Sequence, residues 1–117
     1  MRPEMFRRVD EIARHYLIAA LWTQEFDDVD VDDLPEETWG EAKRDCMIFL
    51  SRNEDLIAES GMSDDHIGHN FWLDRNGHGT GFWDRELGEA GDRLSKACDE
   101  FGETWIYMGD DGRVYFM

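Results

Sequence analysis

His66, His69 and His78 fall within thirteen residues, beside Asp65, Asp74 and Asp84. Imidazole and carboxylate are the chemistry of a zinc site or of a histidine–aspartate acid–base pair. His66 and His69 are three apart, so a helix carries them on one face. The pattern nevertheless lacks HExxH spacing, and no cysteine lies in the segment. Histidines that donate hydrogen bonds to backbone or carboxylate, and so fix a turn, are the reading this spacing favours. Nucleophiles have no activating context: Ser63 and Thr80 stand without a base motif, and Cys46 and Cys98 are distant in sequence. The expectation is a non-enzyme with no metal and no cofactor. The alternative is a small metal-dependent enzyme or metal-binding protein centred on His66, His69 and His78.

The same stretch, His66 to Arg85, holds four glycines and two of the five tryptophans. Gly77-His78-Gly79-Thr80-Gly81 resembles a phosphate loop only superficially. A phosphate loop follows a strand and carries a lysine; these glycines follow a helical pattern, and no lysine is near. A turn is the expected structure. Phe71, Trp72, Phe82 and Trp83 are candidates either for a binding surface or for the core, and a domain of this size needs at least two of them inside. Arg75 and Arg85 are read as structural, pairing locally with Asp74, Asp84 or Glu86.

The elements that position these groups follow from periodicity. Val9, Ile12, Ala13, Tyr16, Leu17, Ala20 and Leu21 form one apolar stripe, which predicts a helix from Pro3 to Gln24. Asp33 and Pro35 signal a second helix, running from Pro35 to Glu59 and ended by Ser60-Gly61. Ser63 is a candidate N-cap for a third helix from Asp64 to Arg75, with Asn76-Gly77 as its C-cap. Leu87 to Phe101 reads as a fourth helix. Trp105 to Met108 and Val114 to Met117 read as strands joined at Gly109-Asp110-Asp111-Gly112. An isolated hairpin is marginal in water, so Trp105, Tyr107, Val114 and Phe116 are expected to pack on the helices or on another strand. The predicted fold is α+β: one domain over residues 1–117, with about four helices and a small C-terminal antiparallel hairpin or sheet.

Charge sets the partner class. Twenty-eight acids face twelve Lys and Arg, a net charge of -16. Such a chain repels nucleic acid and anionic membranes and favours a basic protein surface, including one that ordinarily holds nucleic acid. Glu25, Asp27, Asp28, Asp30, Asp32, Asp33, Glu36 and Glu37 concentrate eight acids in thirteen residues. They are the candidate partner-binding residues, on a segment predicted as a solvated loop followed by a helix start. The competing reading is charge spread for solubility, because sixteen acids are Asp and only Lys43 and Lys96 are lysines, a bias also found in proteins adapted to high salt. No signal-peptide pattern follows Arg7 and Arg8, and no stretch has the length of a membrane span. A cytoplasmic protein with free thiols is expected.

The block HNFWLDRNGHGTGFWDR (His69 to Arg85) and the terminal YMGDDGRVYFM (Tyr107 to Met117) resemble an uncharacterised family of small acidic phage and prophage proteins. There a histidine-aromatic block precedes an acidic-turn hairpin in the same order. The likeness runs from Ser63 to Met117; Asn70 departs from it, standing where the family pattern has an acid. The resemblance implies a phage-type origin and no assigned catalytic residues. By association it also implies a small acidic inhibitor of host defence that imitates nucleic acid, with a phage accessory role as a further alternative.

Overall fold

The computed structural model describes residues 3–77, 82 and 88–117. The apolar stripe becomes helix α1 (Pro3–Thr23), with Ile12, Ala13, Tyr16, Leu17 and Ala20 almost wholly out of solvent. The helix stops in a Schellman arrangement. Glu25 takes the left-handed conformation (φ 63°), its N–H donates to the Trp22 carbonyl, and the N–H of Phe26 reaches back to Leu21 at 2.8 Å.

A 3-10 turn (Val31–Asp33) follows inside the acidic segment, capped by the Asp30 carboxylate accepting the Asp32 N–H at 2.9 Å. Helix α2 (Glu36–Arg52) starts after Pro35 and buries Ala42, Cys46, Phe49 and Leu50. The single long helix expected here is two helices, because Asn53 divides it. The Asn53 side chain donates to the Phe49 carbonyl at 2.9 Å, competing with the helical ladder, and its own carbonyl opens helix α3 (Glu54–Ser60). Helix α4 (Asp64–Arg75) and helix α5 (Glu89–Asp99) complete the helical part, so five helices stand among the described residues where about four were expected. The chain is α+β, closing with strands β1 (Ile106–Met108) and β2 (Val114–Phe116).

The main packing joins α1 to α4. Gly68 makes it possible: a Cβ there would lie 2.0 Å from the Ile12 carbonyl oxygen, so only hydrogen lets the two backbones meet. Around this contact Phe71, Trp72, Phe49 and Phe82 are fully buried, with Phe49 stacked on Phe71 at 4.3 Å. Of the four aromatics Phe71, Trp72, Phe82 and Trp83, the first three are therefore core; Trp83 lies outside the described residues.

The sheet pairs Ile106 with Phe116, Tyr107 with Tyr115 and Met108 with Val114. Period-two alternation then sets Ile106, Val114 and Phe116 on one face and both tyrosines on the other. Tyr107 is 45% exposed and lies against Tyr115 of the paired strand at 6.1 Å, not on the helices. Trp105 lies just before β1, edge-on to Trp72 at 6.4 Å. Two side chains tie the strands to the helices. The Gln24 amide exchanges two 2.9 Å bonds with the backbone of Ile106, and the Thr38 hydroxyl donates to the Val114 carbonyl at 2.7 Å.

Candidate functional site

All eight acids of the candidate segment are exposed. Between His15 and Ala42 the chain has nine acids and no Lys or Arg. One cation reaches in from outside that stretch: Arg14 on α1 forks onto Asp32 at 2.8 and 3.3 Å and holds its carboxyl below the usual range. The others have no ion pair among the described residues. Alternation positions them: Val31 and Leu34 turn into the core, Phe26 and Val29 pack partly against it, and the intervening acids point to water. Glu25 belongs to the same set and occupies a left-handed position that favours glycine.

Two histidines of the block, His66 and His69, are among the described residues. Ser63 stands at the N-cap of α4, but its hydroxyl lies 3.2 Å from Nδ1 of exposed His66 and also bonds Asp65, lowering that carboxyl's pKa. His69 stacks on the Trp22 indole at 6.0 Å. His78, Thr80, Asp84, Arg85 and Glu86 lie outside the described residues. Among the described residues no three His, Cys, Asp or Glu side chains are grouped to hold a metal ion. Asp74 braces the fold instead. It accepts from the Phe82 N–H at 3.1 Å and the Ser95 hydroxyl at 2.6 Å, and burial raises its pKa. Asn70 is fully buried.

Arg75 is structural, as expected, but its partners are remote in sequence. With a side chain only 5% exposed, it donates to Asp45 at 2.8 Å, to the Tyr16 hydroxyl at 3.0 Å, and to the carbonyls of Gly102 and Phe101 at 2.8 and 3.0 Å. Burial opposes its charge; Tyr16 and Asp45 outweigh that and keep its pKa raised. Burial also raises the pKa of Tyr16. Cys46 and Cys98 are buried free thiols with pKa values pushed up by the same cause, which makes them poor nucleophiles. Among the described residues every buried side-chain nitrogen and oxygen has a hydrogen-bond partner, so no orphaned polar group marks a ligand.

Trp22 is the surface feature that reading by periodicity overlooks. It is 63% exposed, and Ile18, one turn earlier, is 37% exposed. Both fall outside the buried stripe of α1, and their four-residue spacing is the signal that could have exposed them as a second apolar pair. With Leu21, Phe26, Val29 and Val31 they line a shallow groove of about 200 Å³, and among the described residues Asp27 is its one ionisable lining residue. The acids and the apolar groove are thus parts of one region.

Among the described residues no helix is long and apolar enough to cross a membrane. Comparison of the chain with known family profiles, curated proteins and solved structures finds no match in any of the three.

Proposed function

We propose that this chain is a non-enzymatic, phage-type acidic protein of the cytoplasm. It binds a basic protein surface and inhibits a host protein that handles DNA or RNA, its acidic segment occupying the site of a nucleic-acid backbone. The observation that carries this reading is the exposed run from Glu25 to Glu37, within a stretch that has no internal base and one ion pair, Arg14 to Asp32. Double-stranded DNA carries one charge per about 1.7 Å of axis, and a basic groove built for that density attracts closely spaced carboxylates. Oriented like charges steer encounter and raise the on-rate, and the benefit falls as salt screens them. The buried aromatics Phe71 and Trp72 support the run by building the α1–α4 core from which it departs. At a net charge of -16, direct nucleic-acid binding is disfavoured.

The test replaces Asp27, Asp28, Asp30 and Asp33 with Asn and leaves Asp32 paired with Arg14. Asn retains the capping ability of Asp at position 30. Capture from host lysate at low salt should yield a basic protein with the wild type and at least tenfold less with the variant. The melting temperature should stay nearly constant. Equal capture by the variant rejects the reading.

A further inference from the structure

A purely electrostatic dock needs no exposed tryptophan, yet α1 presents one at the edge of the acidic run. The Trp22 indole is not a loose side chain: His69 stacks against it at 6.0 Å with an interplanar angle of 28°. A ring held in place loses little side-chain freedom on binding, the property that makes aromatic residues energetic anchors at interfaces. The adjoining groove, about 200 Å³, is below the roughly 300–1,000 Å³ of small-molecule pockets. Its shape suits one large apolar side chain.

Charge identifies the occupant. Asp27 lines the groove, Asp28 and Asp30 continue beside it, and no Lys or Arg occurs from position 15 to 42. A second copy docked through this face would be related by a two-fold axis and would set Asp27 and Asp28 against their own counterparts. An acidic partner meets the same repulsion. A segment with lysine or arginine on both sides of an apolar residue satisfies both features at once.

We infer that the groove between Trp22, Ile18 and Phe26 binds a basic protein segment by taking up one large apolar side chain, while Asp27, Asp28 and Asp30 engage the flanking lysines or arginines. This inference rests on the proposed binding of a basic surface and adds that the contact has an apolar anchor.

Three fluorescently labelled synthetic peptides test it by anisotropy: one with leucines at helical spacing among lysines, one with those leucines changed to glutamine, and one with the lysines changed to glutamate. The first should bind the wild type, with the affinity falling as salt rises. Trp22→Ala should weaken it by about 30-fold, the scale of an interface hot spot, and Ile18→Ser should weaken it in the same direction. Circular dichroism should show both variants folded, because both residues are exposed. The glutamine peptide should bind wild type as weakly as the leucine peptide binds the Trp22 variant.

If the leucine and glutamine peptides bind equally and Trp22→Ala changes nothing, the anchor is overturned while the electrostatic reading stands. If binding ignores both salt and the Asp27, Asp28 and Asp30 to Asn changes, the electrostatic reading itself fails. No binding of the leucine peptide, equal binding of the glutamate peptide, or a wild-type dimer that Trp22→Ala dissociates also overturns the inference.

Discussion

Gly68→Ala and Gly40→Ala are the same chemical change in two helices, and the structure assigns them opposite signs. At Gly68 the added methyl would sit 2.0 Å from the Ile12 carbonyl oxygen, 2.9 Å from its carbon and 3.0 Å from the Tyr16 nitrogen. Ordinary contact lies near 3.5 Å, so α1 and α4 must part by roughly 1.5 Å at this point. All three opposing atoms are backbone, and no side chain can swing aside. A gap of even 0.5–1 Å forfeits roughly a quarter to a half of the dispersion attraction across it, and the interface includes fully buried Ile67, Phe71, Trp72 and Tyr16. Overpacking of a core costs about 1–3 kcal/mol when neighbours can yield, and the upper end or beyond applies here. The helix-propensity gain of alanine offsets about 1 kcal/mol. The net loss is about 2 kcal/mol or more, a fall in Tm of roughly 8 °C or more for a domain of this size. Gly40 faces open space within α2, so Gly40→Ala keeps the propensity gain and raises stability by about 0.5–1 kcal/mol. Urea titration and thermal melting of both variants decide the matter. A Gly68→Ala protein as stable as the wild type refutes the close backbone approach.

Arg75→Met removes the donor shared by Asp45, Tyr16 and two carbonyls and should cost roughly 3–5 kcal/mol, read by urea titration; Arg75→Lys should rescue little, since an ammonium cannot span the same fork. Glu25→Gly relieves a left-handed backbone and should stabilise the fold by about 0.5–1 kcal/mol while weakening partner capture, so stability and binding move in opposite directions. Asp74→Asn tests the pH sign. The pKa of Asp74 is raised on folding by burial, so its contribution to stability is largest below the unfolded value and declines as pH rises through the folded one. Thermal melts from pH 3 to 7 should show that decline reduced in the variant; an unchanged profile contradicts the assignment.

The parts of the fold legible in the sequence are those set by local rules. The seven-residue stripe of α1 marks its buried face, Asn76-Gly77 ends α4, and Gly77 adopts φ 68° as a C-cap glycine does. The acidic terminal turn also forms, though as a longer loop than a two-residue Asp-Gly turn. The Gly109 N–H donates to the Arg113 carbonyl at 2.7 Å, and Gly112 takes φ 77°. What was not legible depends on distance. Arg75 pairs with Asp45, thirty residues away, because side chains of α2 and α4 meet in the core, as Phe49 and Phe71 also do. Asn53 divides a helix whose periodicity runs on, since a side-chain hydrogen bond leaves no trace in the hydrophobic pattern. Gly68 looks like a flaw in a helix until a second helix is placed against it. The acidic run is plain from composition, but Trp22 beside it is not, because the apolar periodicity of α1 marks its buried face and Trp22 lies off that face.

The most direct measurement of the central claim is competition. The basic protein captured by the immobilised chain is challenged with double-stranded DNA and RNA oligonucleotides at fixed salt, and the released fraction is recorded. If the Glu25–Glu37 carboxylates occupy a phosphate-binding site, one of the oligonucleotides should displace the partner in a concentration-dependent way, and a neutral polymer of similar size should not. Partner retention undiminished at saturating oligonucleotide would place the contact elsewhere and contradict the account.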